Sequence, residues 1–262
     1  MSFERRPLGN DAFALVSTSL EELGFLAAFT ERSGGVSENE FASLNLSYSS
    51  GDTTENIAAN RAHVIGALDI PPFALGGQVH GAKLANVGPK RAASGFEGRD
   101  GVISGHDGLY TSSRGIPVAV ATADCVPVVL ASATEGRVAA VHAGWKGVAA
   151  GIVTNAATLF QEPGSVTAAI GPAAGPCHYE VGEDVALAVS AAVPDGAIVE
   201  RRDDKVYLDL PGSIAATLQA AGIENVDVAG LCTIHEDERF FSHRRDGPCG
   251  RQMAIAMRLA AR

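Results

Sequence analysis

The sequence predicts an α/β fold of the mixed α+β kind, a single compact domain over residues 1–262 with a mixed sheet and flanking helices. Three observations carry that reading. Short apolar runs bounded by turn residues mark buried strands. Segments with apolar residues at helical spacing interleave with them. The composition, 46% hydrophobic but only 6% aromatic and 19% charged, supplies a large core built from small side chains.

Taken in order, Phe13-Ala14-Leu15-Val16 predicts a short strand, and the Gly-, Ser- and Asn-rich stretch from Phe29 to Ser50 predicts a loop. Asp52-Thr53-Thr54-Glu55 has capping-box spacing, and Ile57, Val64, Ile65 and Leu68 follow at helical spacing, so a helix is expected over 53–68. Ala92 to Gly108 predicts a second loop, ending in Gly105-His106-Asp107-Gly108. Three apolar runs, Pro117–Val120, Val126–Leu130 and Val138–Val141, predict buried strands. Val148, Ile152, Ala156 and Leu159 mark a helix after Gly147. A strand over 166–170, helices near 182–193 and 209–221, a strand over 226–229 and a final helix near 248–260 complete the pattern. No repeat or linker divides the chain.

The formal charge of −10 disfavours nucleic acid and anionic membranes as partners, while an anionic small substrate needs only a locally basic pocket. No apolar run approaches the roughly 18 residues of a membrane span. The opening residues, Met1 to Arg6, lead into no signal-type apolar core, so a cytoplasmic location is expected. Cys125, Cys177, Cys232 and Cys249 are then expected as free thiols.

Three stretches concentrate the chemistry: Gln78-Val79-His80-Gly81, Ala123-Asp124-Cys125-Val126-Pro127 and Val141-His142-Ala143-Gly144-Trp145-Lys146-Gly147. Each places one metal-ligating residue at the edge of a predicted strand. His80 and Cys125 lie 45 residues apart, and Cys125 and His142 lie 17 apart. These separations are too long for a zinc finger and suit a site assembled by folding. Two imidazoles and a thiolate would leave a fourth tetrahedral position open, as in catalytic zinc. Taken singly, each residue has a plainer reading, a hydrogen-bonded structural His or a small buried Cys.

Together with Thr30-Glu31-Arg32-Ser33-Gly34-Gly35-Val36-Ser37, Leu44-Asn45-Leu46-Ser47, Asn60-Arg61, Ile170-Gly171-Pro172 and Cys177-His178-Tyr179-Glu180-Val181-Gly182, these stretches resemble the polyphenol oxidase or laccase-domain family. Its members are now largely described as purine nucleoside phosphorylases. The resemblance runs in order from about Phe29 to Arg245. It implies a cysteine-hydrolase-like α/β fold and zinc held by His80, Cys125 and His142. It also implies phosphorolysis of adenosine, inosine, guanosine and methylthioadenosine, with hydrolytic deamination of adenosine.

Within the matched motifs, Arg32 and Arg61 are candidates to hold phosphate through two-pronged guanidinium contacts. Lys146 and Arg244 are further candidates, and each of the four has an ordinary ion-paired reading beside it. Asp124 is a candidate to orient a ligand or move a proton, with turn capping as its plainer role. His178 is a proton-transfer candidate. Since adjacent side chains of an extended segment point opposite ways, only one of Cys177 and His178 is expected to face the site. Trp145 is either a stacking platform for a base or packed structure. His63, His106 and His235 are assigned no chemistry.

Three rivals stand beside this reading. A copper polyphenol oxidase fits the older family name, and a Cys/His site can take up Cu2+ in vitro. Yet the chain has seven His and no His-x-His pair. A cysteine hydrolase editing a cell-wall precursor would use Cys125 as nucleophile and His142 as base. A non-enzymatic binding protein would close a structural zinc site with Cys177 or His178 as fourth ligand.

Overall fold

A computed structural model describes residues 2–260, in which two large sheets pack face to face between helices. The first sheet has seven strands in the order Phe3–Gly9, Ala12–Ser17, Phe25–Thr30, Gln252–Arg258, Val118–Thr122, Ala74–Gly77 and Ile103–Ser104. The second has six, in the order Asn225–Val228, Val166–Ile170, Val126–Ser132, Arg137–Ala143, Gly108–Thr111 and Leu84–Asn86. A small sheet joins Glu180–Val181, Lys205–Asp209 and Ile198–Arg202. Both large sheets mix antiparallel and parallel pairings, with Ala74–Gly77 parallel to both its neighbours and Leu84–Asn86 parallel to Gly108–Thr111.

The period of two along the central strands sorts their side chains into separate apolar layers. Val126, Val128 and Leu130 pack towards the helices Ile152–Ala157 and Leu210–Ala220. Val129 and Ala131, which alternate with them along the strand, pack against Val118, Val120 and Phe29 of the other sheet. On the far side, Met253, Ile255 and Met257 meet Val64 of the helix Thr54–Leu68. Alanines such as Ala140, Ala169, Ala254 and Ala256 fill the space between the sheets, where bulkier residues would force them apart.

The mixed α/β expectation holds, as do the strands near 13–16, 117–120, 126–130, 138–141, 166–170 and 226–229. The helix over 53–68 begins at Thr54, with Thr53 as its cap: the Thr53 hydroxyl accepts the Asn56 amide at 3.2 Å. Asp52 instead accepts from the Thr53 amide at 2.7 Å.

Three expectations are corrected. The final helix near 248–260 is a strand, Gln252–Arg258, at the middle of the first sheet. Its Ala- and Met-rich run has helix propensity, but ladders on both sides, with Phe25–Thr30 and Val118–Thr122, override it. The helix after Gly147 is two helices, Trp145–Ala149 and Ile152–Ala157, separated at Gly151, whose φ of 87° ends the first. The loops at 29–50 and 92–108 begin and end in strand, because Thr30 closes Phe25–Thr30 and Gly108 opens Gly108–Thr111.

Among the described residues no helix is long and apolar enough to cross a membrane. The connections that matter for chemistry are those that switch sheets. Residues 78–83, 105–107 and 123–125 each carry the chain from the first sheet to the second, and all three converge at one seam.

Candidate metal centre

His80 and Cys125 lie in two of these crossings, and His142 sits at the end of Arg137–Ala143 beside them. One ligating atom from each lies within 4.8 Å of the other two. The Cys125 Sγ is 3.9 Å from His80 Nδ1, and the two imidazole rings meet edge to face with centroids 4.9 Å apart. His142 is buried, Cys125 half-buried and His80 exposed, so the cluster opens to one side. His80 at φ 59° and Asp124 at φ 89° both adopt the left-handed backbone region, rare for non-glycine residues and frequent where structure is held for function.

The residue that organises this cluster is Asp107, a fully buried carboxylate in the third crossing. Its oxygens accept the backbone amides of Val79, His80 and Gly81 at 3.1, 2.8 and 2.8 Å. Its Oδ1 also accepts His142 Nδ1 at 2.9 Å. That contact places the proton on Nδ1 and turns the Nε2 lone pair towards the cluster, the usual arrangement behind a ligating histidine. Sequence reading left Asp107 as the end of a loop. The signal available was an Asp held between two glycines in a turn.

The electrostatics follow from these contacts. Burial pushes the Cys125 thiol up, but hydrogen bonds from His142 and His80 outweigh it and bring the pKa down to about 6. Burial pushes His142 down, but Asp107 and then Cys125 carry it to about 9. A poised thiolate between two imidazoles is a donor set for a borderline or soft cation. Gly144 supports the same reading, since a Cβ there would lie 2.8 Å from Cys125 Sγ and 2.9 Å from His80 Nδ1.

The cluster forms one wall of a cleft of about 830 Å³. Lys146, Arg244, Arg99, Arg251 and His243 line it, and Asp124 is the one lining carboxylate among the described residues. The chain is strongly acidic, and yet this cavity is basic. Arg244 stacks over Tyr179 at 5.2 Å, while its Nη1 donates to the Glu180 carbonyl. Lys146 lies 5.5 Å from the Trp145 ring centroid. His243 Nδ1 is 2.7 Å from the Gly247 carbonyl, which leaves its Nε2 for a ligand.

Asp124 lines the cleft, but its carboxylate is committed: it accepts the Thr233 hydroxyl and the Arg244 amide, both at 2.7 Å. It positions the Arg244 segment beside Cys125. His178 lies away from the triad, bordering a neighbouring cavity of about 630 Å³ that shares Trp145, Tyr179 and Arg244.

Two candidate phosphate ligands do not line the cleft. The Arg61 side chain is fully buried, donating to the carbonyls of Leu46, Gly95 and Phe96 at 2.6–2.7 Å and stacking on Tyr48. It knits the 46–48 and 95–96 segments to its helix. Arg32 donates to the carbonyls of Ala42 and Asp237 and packs over Phe241, outside the cleft. Both look like anion ligands in sequence, and both spend their donors on backbone carbonyls. Arg99, Arg251 and His243 are the cleft residues that sequence reading passed over, because no local motif marks them.

The chain is similar to known proteins over most of its length. A family model described as multi-copper polyphenol oxidoreductase laccase matches residues 26–259. A protein of Geobacillus stearothermophilus named purine nucleoside phosphorylase YlmD is 35% identical over 245 residues, covering 88% of this chain and 89% of that protein. A purine nucleoside phosphorylase of Deinococcus radiodurans is 38% identical over 235 residues, covering 87% of each. The crystal structure of YlmD superposes with a TM-score of 0.89 at 34% identity, over 94% of this chain and 96% of that one. Bacillus licheniformis YfiH, described as a hypothetical protein, gives 0.90 at 32%, over 98% and 99%. The chain therefore belongs to the laccase-domain polyphenol oxidoreductase family, among relatives named purine nucleoside phosphorylases.

Proposed function

We propose that this protein is a zinc-dependent purine nucleoside phosphorylase. The observation that carries the proposal is a two-imidazole, one-thiolate cluster opening onto a basic cleft of nucleoside size. His80, Cys125 and His142 would hold the ion, and their donor types, mutual distances and the Asp107 contact behind His142 all fit it. Zinc, when bound with an open position, supplies Lewis-acid polarisation and makes water acidic near neutral pH. The substrates this reading assigns are adenosine, inosine, guanosine and methylthioadenosine, with adenosine deamination as a second activity.

In phosphorolysis a phosphate oxygen attacks C1′ of the ribose. The C1′–N9 bond breaks, and its electron pair leaves on the purine, which takes up a proton. The residues of this cleft suit the parts of that reaction. Lys146 and Arg244 both line the cleft and are assigned to hold an anion, with the Arg244 guanidinium packed over the Tyr179 ring. Holding phosphate and sugar together in attack geometry is one contribution such a site makes. His243, whose Nε2 is uncommitted, is the cleft imidazole outside the metal cluster and serves as proton carrier.

A second reading rests on a specific observation. Cys125, His142 and Asp107 form a thiol–imidazole–carboxylate array of the kind that activates a cysteine nucleophile. The two readings separate on metal, since a thiolate engaged by an ion is a poor free nucleophile. The purified protein is expected to carry zinc at this cluster. With phosphate it should convert adenosine to adenine and ribose 1-phosphate, and without phosphate to inosine. Metal-free protein with a fast-alkylating Cys125 and no action on purine nucleosides would favour the hydrolase.

A further inference from the structure

A second cluster of soft donors lies outside the cleft. Cys177, His178 and Cys232 each offer a ligating atom, and these atoms lie within 4.8 Å of one another. Cys232 is buried, whereas Cys177 and His178 are exposed. Adjacent residues of a strand would diverge, but Cys177 and His178 sit in a tight turn, with the His178 and Tyr179 amides both donating to the Gly175 carbonyl at 3.1 and 2.9 Å. The turn lets both side chains reach Cys232, and neither lines the cleft of His80, Cys125 and His142.

Backbone hydrogen bonds tie together the segments that carry the cluster. The Ala173 amide donates to Leu231 and the Thr233 amide to Ala173, at 3.2 and 2.9 Å, zipping the turn to the segment that carries Cys232. The Gly175 amide donates to Cys232 Sγ at 3.3 Å. A Cβ on Gly175 would stand 3.6 Å from Cys232 Sγ and 3.7 Å from Cys177 Sγ, so both sulfurs lie close around one point of the turn. The His235 ring, three residues after Cys232, lies 5.4 Å from the His178 ring, adding a further imidazole to the border of the cluster.

We propose that Cys177, His178 and Cys232 form a second metal site, for a thiophilic divalent cation of the zinc type. Two thiols and an imidazole match such an ion in softness and disfavour magnesium or calcium, which take oxygen ligands. The site joins the turn that leads into Tyr179 to the segment whose Thr233 holds Asp124, so it is structural, bracing the cleft wall from behind. It does not depend on the zinc assignment at His80, Cys125 and His142.

The test is a Co2+ titration of reduced, metal-stripped full-length protein, read by cobalt equivalents bound and by the sulfur-to-cobalt charge-transfer band in the near ultraviolet. The Cys177→Ser/His178→Gln protein, altered only at exposed positions, should bind one equivalent fewer than wild type. Because the difference between the proteins is what counts, the result is readable even if the His80 cluster binds nothing. Cys232→Ala should lose the same equivalent. Equal stoichiometry in wild type and the double variant would overturn the site. So would a Cys177–Cys232 disulfide in the isolated protein that, once reduced, takes up no cobalt there.

Discussion

Asp107 Oδ1 accepts the Nδ1 proton of His142 at 2.9 Å while the same carboxylate caps three successive amides of the loop that carries His80. One side chain thus positions two of the three residues of the candidate metal cluster. Asp107→Asn should weaken metal binding by about tenfold to a hundredfold, the usual cost of losing the partner behind a ligating histidine. Competition with a chromophoric chelator measures it, and unchanged affinity would remove Asp107 from the site.

Gly144→Ala probes the space at the cluster without touching a donor. The new methyl would stand inside contact distance of both Cys125 Sγ and His80 Nδ1. Metal content should fall steeply while the far-ultraviolet circular dichroism stays that of wild type. Full metal retention would show that the cluster gives way more easily than its geometry indicates.

The arginines should divide by role. Arg61→Ala removes the donor to three carbonyls, those of Leu46 and Gly95 buried and that of Phe96 half-buried, at about 1–3 kcal/mol for each buried one, so it should lower the melting temperature by several degrees or prevent folding. Arg244→Ala and Lys146→Ala should leave the melting temperature nearly unchanged. Each should raise the KM for phosphate by about tenfold to a hundredfold, the loss of a charge-assisted contact. A phosphate KM that moves with Arg61 in folded protein, and not with Arg244 or Lys146, would reverse the assignment.

In metal-free protein, Cys125 should react with iodoacetamide as a thiolate. Its pKa near 6 means the rate rises as pH climbs through 6 and levels off above about 7, where an ordinary thiol would still be gaining. Zinc should suppress the reaction. Alkylation that follows an ordinary thiol profile would show that the imidazoles do not hold the thiolate.

Glu31 gives the fold an acid limit. Burial pushes its carboxyl up, but ion pairs with Arg5 at 2.8 Å and Arg239 at 2.6 Å more than offset this, so the folded-state pKa lies below the ordinary value. A depressed carboxyl stabilises the fold fully above the unfolded pKa of about 4.3 and progressively less as pH falls through the lower folded value. Thermal melts from pH 6 downward should therefore show a loss of stability that Glu31→Gln flattens. Parallel curves for the two proteins would contradict this.

Much of the fold was legible because local patterns and burial agreed. The runs at 126–130 and 138–141 are buried on both faces, so their unbroken hydrophobicity marks them as strands. The helix at 54–68 announces itself through its Thr53 cap. The strand Gln252–Arg258 was misread because an Ala- and Met-rich run suits a helix until two neighbouring strands claim its backbone. The strand Ala74–Gly77 went unnoticed because its four residues include two glycines.

The sequence by itself determined the donor types of the candidate metal cluster, His80, Cys125 and His142, because ligating atoms are properties of side chains and the surrounding motifs are local. Only the tertiary structure decided what supports and surrounds them. Asp107, Arg99, Arg251 and His243 reach the site from crossings and loops distant in sequence, where no spacing rule links them to it. The same folding turned Arg61 inward, where its guanidinium donates to the carbonyls of Leu46, Gly95 and Phe96. It also bent Cys177 and His178 towards Cys232, because a tight turn, unlike a strand, lets adjacent side chains share a side.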